Sequence, residues 1–170
     1  MLRQIGIEPD RIVAADIDET PKAGEPPRAY ALRMALGKLM PCDDGFAIAA
    51  DTVVAAGARI LPKAETAEQA EKCLRRLSGR RHSVYTGVAV RGPDGRVVSR
   101  VVASVVGFAR LDVAEVQKYL ASLEWQGKAG GYAIQGSAAA FVDFISGSYS
   151  GVVGLPLHET MRLLRGLGWK

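Results

Sequence analysis

The chain is 170 residues long, with 48% hydrophobic and 24% charged residues, proportions that suit one folded domain over residues 1–170 and exclude a disordered chain. Twenty-two basic residues against eighteen acidic ones leave a net charge of +4, with no run of five or six like charges. This balance suits a small anionic ligand better than a nucleic-acid track, and no basic stripe with interleaved aromatics argues otherwise.

Residues 27–39 (PRAYALRMALGKL) are rich in helix formers, carry a proline at the start and are closed by Met40-Pro41, which predicts a helix. Residues 46–54 (FAIAADTVV) form an apolar run broken by Asp51 and Thr52, as expected of a buried strand with a polar end. Thr66-Ala67-Glu68-Gln69 has the form of a capping box, and Ala67, Ala70, Leu74 and Leu77 follow at helical spacing until Ser78-Gly79. Residues 82–90 and 97–108 are β-branched runs joined through Pro93-Asp94-Gly95, which predicts a long hairpin. Asp112 and Glu115 cap a further helix to about Ala121, and residues 125–131 are glycine-punctuated and polar. Residues 132–135 read as a strand, 138–145 are ambiguous between helix and strand, and 156–167 are helical with Leu157, Met161 and Leu164 on one face. The fold class is therefore α/β or α+β, with long antiparallel strands.

Cys42 and Cys73 form no paired motif and are expected as free thiols in a reducing compartment. No stretch reaches the roughly 18 consecutive apolar residues that span a bilayer, and Met1-Leu2-Arg3-Gln4 lacks a signal-peptide core. A cytoplasmic protein with no membrane partner is the expectation.

Several polar residues sit where chemistry is plausible. Asp51 ends an apolar run, so its carboxylate needs a partner: it is a turn cap, a metal ligand or a general base. Asp16-Ile17-Asp18-Glu19 follows the apolar Ile12-Val13; as a strand it would put Asp16 and Asp18 on one side and Glu19 on the other, and as a loop it would be solvated. Lys63 follows the rigid Pro62. Arg80 and Arg81 load a helix exit with cations, suited either to phosphate or to the negative end of the helix dipole. The glycine-rich residues 127–136 carry Lys128, Tyr132 and Gln135; glycine permits close backbone approach to a ligand, and a glutamine tip has the donor and acceptor needed to read a base edge. The order of residues is neither that of a P-loop nor that of a dinucleotide-binding fingerprint. Residues 147–151 (GSYSG) form a second polar turn, structural or catalytic.

Four segments taken in order resemble the Maf family of nucleotide pyrophosphatases: Ala50-Asp51-Thr52-Val53-Val54; Leu77-Ser78-Gly79-Arg80 with His82 and Thr86-Gly87-Val88; Gly127-Lys128-Ala129-Gly130-Gly131-Tyr132 with Ile134-Gln135-Gly136; and Gly147-Ser148-Tyr149-Ser150 with Val153-Gly154-Leu155-Pro156-Leu157. The resemblance implies a twisted mixed sheet with flanking helices and two lobes around a cleft. It implies hydrolysis of a nucleoside triphosphate between the α and β phosphates, with Mg²⁺ or Mn²⁺ held by Asp51 and Glu19. Asp51 matches the family's proton acceptor, Glu19 its acidic segment, and Lys63 the lysine after the catalytic strand. Thr52 and Gln135 match positions of substrate choice, and glutamine at 135 resembles the dTTP/UTP branch. Lys63, Arg80 and Lys128 are the cations expected near the nucleotide, and a homodimer is the expected assembly.

The chain departs from the family pattern at Pro62 and Ala64 around Lys63, and at Gly151, where asparagine is common. The family's Ser-Pro-Arg-Arg phosphate-binding segment would precede Leu2, so the chain is expected to be N-terminally short. The alternative function is a nucleotide-binding regulatory protein, related to cell division and septum formation, with weak or no turnover.

Overall fold

The computed structural model describes residues 1–40 and 45–170, so the expectation of a free thiol at Cys42 lies outside the described residues. Five strands form one sheet in the order β2-β1-β3-β4-β5: β1 (Ala47–Ala56), β2 (Arg59–Leu61), β3 (Arg81–Arg91), β4 (Val97–Phe108) and β5 (Val142–Ser146). The long strands are those expected from their β-branched content. Each of the four pairings is antiparallel, so the sheet expected to be mixed runs in alternating directions throughout the described residues. The β3–β4 hairpin turns at Gly92, whose carbonyl accepts from the Gly95 amide at 3.0 Å.

Alternation along the strands sends successive side chains to opposite faces. On one face, Val53 packs with Tyr30, Ala31 and Met34 of α1 (Pro27–Lys38), and Ala89 packs with Ala35 and Leu39. On the other, Val54, Val84, Val106 and Phe108 meet Leu74 and Leu77 of α2 (Ala67–Leu77) and Val116 and Tyr119 of α3 (Val113–Ala121). Further along that face Val88 and Val90 pack with Leu164 of α5 (Leu157–Gly166) and with Leu167. Among the described residues no helix is long and apolar enough to cross a membrane.

Local chemistry explains the starts of α2 and α3. Asp112 accepts from the Glu115 amide while the Glu115 side chain accepts from the Asp112 amide, a complete capping box at α3. At α2 the box is displaced: Thr66 accepts from the Gln69 amide, but the Gln69 side chain accepts from Glu65 rather than from Thr66. Cys73 is a free, buried thiol, and burial pushes its pKa up.

One expected strand is absent, and one ambiguous segment resolves. Residues 132–135 are not a strand: they run from irregular chain into a turn, because Gly130 and Gly131 just before them adopt φ of 68° and 71° and divert the chain. The ambiguous residues 138–145 divide into a 3-10 turn, Ser137–Phe141, followed by β5. The short β2 and the five-residue α4 (Tyr149–Val153) are additions.

Candidate active site

The site begins with the close contact of α1 and β3. A Cβ placed on Gly87 would lie 2.3 Å from the Ala31 carbonyl oxygen, so glycine lets the helix backbone rest directly on the strand. Gly87 pairs across the sheet with Asp51 of β1. The helix therefore passes over Asp51, and its last residue, Lys38, hangs its ammonium group beside the carboxylate.

Lys38 Nζ donates to Asp51 Oδ1 at 2.5 Å and lies 2.6 Å from Glu19 Oε1. Lys63 Nζ reaches the other Glu19 oxygen at 2.5 Å and lies 3.9 Å from Asp51 Oδ1. Two carboxylates and two ammonium groups thus meet at one point. Asp51 is only 6% exposed, which makes paired cations a requirement for an ionised carboxylate there. Burial opposes the charge on Lys38, but hydrogen bonds to Asp51 and Glu19 outweigh it and hold the pKa above the ordinary lysine value. Burial also works to raise the Glu19 pKa, and the Lys38 and Lys63 ammonium groups overcome it and hold the carboxyl below the usual range.

Glu19 arrives on an irregular segment strapped to α1. The Tyr30 hydroxyl donates to the Glu19 carbonyl at 2.6 Å, Arg33 donates to the Thr20 carbonyl at 3.1 Å, and Arg33 also forms a two-pronged bond to Glu25 at 2.7 and 2.6 Å. Asp18 instead accepts from the Thr20 amide at 2.8 Å in a local turn, and Asp16 is exposed. Of the acidic segment, only Glu19 enters the site.

Lys63 is fixed from the other side. The glycine-rich loop is stitched to residues 62–64 by three backbone hydrogen bonds: Gly130 N to Pro62 O at 3.0 Å, Ala64 N to Lys128 O at 3.1 Å and Gly127 N to Ala64 O at 2.9 Å. Gly130 sits so close to Val54 that a Cβ would lie 2.8 Å from its Cγ1. The loop is also pinned from beneath, where the Tyr132 hydroxyl and His82 Nε2 are 2.8 Å apart in the core.

β2 pairs with β1 only at Val54–Ala56, leaving the edge of β1 at Asp51 and Thr52 without a β2 partner. A cavity opens on each side of that edge. The larger, about 740 Å³, is lined by Glu19, Tyr30, Asp51, Thr52 and Lys63. The smaller, about 240 Å³, is lined by Asp51, Thr52, Lys63, Lys128, Tyr132 and Gln135. Asp51, Thr52 and Lys63 border both, so one elongated ligand can cross the strand edge with its ends in different cavities.

Six of the seven residues singled out from the sequence, Asp51, Glu19, Lys63, Thr52, Gln135 and Lys128, therefore line this pair of cavities. Arg80 does not join them. It is exposed in the turn after α2, its carbonyl accepts from the Phe108 amide at 3.1 Å, and it lines neither cavity. Gly151 contributes a backbone carbonyl, which accepts from the Thr86 hydroxyl at 2.7 Å. Sequence reasoning missed Lys38, Tyr30 and Arg33, and it quoted Thr86 only within a matching segment, without a role. The available signal for Lys38 was its place at the end of an otherwise alanine-rich helix, and that alone does not separate it from a solvated lysine.

Among the described residues no group of three or more His, Cys, Asp or Glu side chains converges on a metal position. The donor set here is two convergent carboxylates. That set suits a hard divalent cation that takes its remaining oxygens from phosphate and water, and it does not suit a metal needing a closed nitrogen or sulfur cage.

The architecture and site define a class: an α/β protein whose sheet edge offers paired carboxylates and lysines to an elongated anionic ligand. A family described as "Maf-like protein" matches residues 1–167, and the chain belongs to it. The chain is 54% identical over 176 residues to the dTTP/UTP pyrophosphatase of Caulobacter vibrioides, an alignment covering 100% of this chain and 90% of that protein. It is 55% identical over 174 residues to the dTTP/UTP pyrophosphatase of Rhodospirillum rubrum, covering 100% and 83%. Against the protein of the same description in Hyphomonas neptunium the identity is 54% over 172 residues, covering 100% and 90%.

Proposed function

We propose that the chain is a nucleoside triphosphate pyrophosphatase acting on dTTP and UTP, with residues 1–170 forming a single domain. The observation that carries this reading is the cluster of Asp51, Glu19, Lys38 and Lys63 at a strand edge shared by two cavities, one of which leads to Gln135. The names of the relatives supply the base and the bond class.

In this reading the nucleotide lies across the β1 edge. Its base enters the smaller cavity, where Thr52 and the Gln135 amide supply hydrogen-bonding groups to the base edge. Its phosphates occupy the larger cavity, where the ammonium groups of Lys63 and Lys38 face the charge that grows as the α–β bridge breaks. Asp51 orients the attacking water and accepts its proton, and water adds to phosphorus as pyrophosphate departs with the bridging oxygen. Lys38 holds the Asp51 oxygen toward that position. Asp51 and Glu19 would hold a divalent Mg²⁺ or Mn²⁺ ion, whose chemistry is to neutralise phosphate charge. Lys128 is an accessory cation at the mouth of the smaller cavity. The same reading carries a cytoplasmic protein that is a homodimer, and sedimentation of the purified chain checks the dimer.

The test is pyrophosphate release from dTTP, UTP, CTP, ATP and GTP with Mg²⁺ or Mn²⁺. Release from dTTP and UTP, reduced about 10²- to 10⁴-fold by Asp51→Asn, is the expected result. Nucleotide binding without release from any triphosphate would instead assign the chain a purely binding role.

A further inference from the structure

Thr86 lies on β3 directly across from Thr52 of β1, and it is buried to 1% exposure. Its hydroxyl has one proton. The Gly151 carbonyl, 2.7 Å away, can only accept, so that proton is committed to Gly151. Thr52 Oγ1 lies 3.0 Å from Thr86 Oγ1. With the Thr86 proton spent, Thr52 must be the donor in this second bond. The chain runs one way, from Thr52 to Thr86 to the Gly151 backbone.

The Thr52 proton therefore points into the sheet, away from both cavities it borders. What remains for a ligand is a pair of oxygen lone pairs. A free threonine hydroxyl donates or accepts as its ligand requires, whereas this one can only accept.

We infer that Thr86 is a specificity-determining positioning residue: by fixing Thr52 as an acceptor, it makes the smaller cavity select bases that present a ring N–H. This inference rests on the proposed nucleotide site and deepens it. Uracil and thymine carry a proton on N3 and complement an acceptor. Cytosine has a lone pair at N3, and two acceptors facing each other repel and leave a desolvated group unpaired. Thr86 itself never touches the base.

Gly151 gains a role from the same chain. Its amide donates to Ser148 Oγ at 3.0 Å while its carbonyl orients Thr86, so the short helix α4 sets the Thr86 hydroxyl on β3. A Cβ at Gly151 would lie 3.2 Å from Ser148 Cβ and Oγ, which is the tight packing that keeps the carbonyl in place.

The experiment measures UMP and CMP affinity by calorimetry beside UTP and CTP turnover, for the wild type, Thr86→Val, Thr86→Ser and Thr52→Val. The expected result is a wild-type preference for the uracil nucleotide, reduced about tenfold or more in Thr86→Val, where the Thr52 hydroxyl is free to donate. Thr86→Ser, which keeps the relay, restores the preference. Should Thr86→Val fail to fold, Thr52→Val carries the test: removing the acceptor is expected to abolish the UMP-over-CMP preference. The inference is overturned if folded Thr86→Val keeps the wild-type ratio, if Thr86→Ser loses the ratio as Thr86→Val does, or if Thr52→Val keeps it. Absence of UTP turnover with an intact UMP-over-CMP ratio would sink the pyrophosphatase reading and leave this one standing.

Discussion

Lys38 holds the candidate site together at the level of single residues. Its ammonium group is the shared partner of Asp51 and Glu19, and neither carboxylate is free to swing to solvent without giving up that bond. Replacing it by a long apolar chain keeps the packing of the stem but leaves Asp51 buried with Lys63 3.9 Å away. Lys38→Met should therefore cost about 1.5 to 3 kcal/mol of stability, the worth of a hydrogen bond to a charged group, and slow turnover about 10²-fold. Chemical denaturation and steady-state kinetics check the two effects. A variant with wild-type kcat would show that Lys38 only balances charge. The directions of the pKa shifts set the pH range of this contribution. Glu19, held low, contributes above its ordinary value of about 4.3 and loses that contribution as acid protonates it in the fold; Lys38, held high, contributes below about 10.4 and loses it as alkali removes its proton.

Among the secondary-structure elements, the critical contact is α1 on β3. Ala31 and Ala35 are fully buried, and Gly87 opposite them carries no side chain, so the helix axis lies as near the sheet as backbone atoms permit. Gly87→Ala would force a methyl group to within 2.3 Å of the Ala31 carbonyl oxygen, and the helix has to lift. Overpacking of this kind costs about 1 to 3 kcal/mol. The particular expectation is that the mutant loses activity more steeply than its melting temperature falls, because lifting α1 also withdraws Lys38 and the Tyr30 and Arg33 straps from Glu19. A mutant with lowered Tm but normal kcat would show that the helix end is positioned by something else. This contact also marks the limit of what the sequence made legible. Gly87 was noted as part of a motif, and Asp51 stood out as a charge ending an apolar run, because burial of a carboxylate leaves a trace in local pattern. Lys38 left none, since it meets Asp51 only after a helix has crossed the sheet, and Glu19 stood out through its acidic segment and the family resemblance rather than through local pattern: a lysine at a helix end or a glutamate in a loop reads the same whether it is solvated or clamped. Arg80 shows the converse, since cations at a helix exit satisfy the dipole as readily as a phosphate.

At the scale of the whole molecule, one core spans the sheet's α2–α3 face and anchors the ligand-facing loop through His82 and Tyr132. Phe108 packs edge-on against both rings, with centroids 5.2 and 4.9 Å away. Burial pushes the His82 pKa down from 6.5 to about 4, so the imidazole is neutral in the native protein. Between those two values the unfolded chain binds a proton that the folded chain refuses, and stability falls as pH falls. The loss is complete below about pH 4 and is on the order of 3 kcal/mol for such a shift. Melting temperatures measured from pH 7 to pH 4 should decline, and the decline should be shallower in His82→Gln, which cannot be protonated. An equally steep decline in that variant would place the acid sensitivity elsewhere. Here too legibility was uneven: the long strands and four of the helices followed from composition, periodicity and caps, whereas the 132–135 segment read as a strand and is a loop, because paired left-handed glycines divert the chain just before it.

The four charged groups at the β1 edge have one further property, which concerns how the site looks from a distance. Glu19 and Asp51 contribute two negative charges, Lys38 and Lys63 two positive ones, all within a few ångströms. Seen from beyond a screening length of about 8 to 10 Å they sum to nothing. The cluster itself therefore exerts no net monopole pull on a triphosphate or a bare cation in bulk solution; these four groups discriminate at contact, where a ligand bringing both signs can exchange partners with each ion pair without ever leaving a charge unmatched.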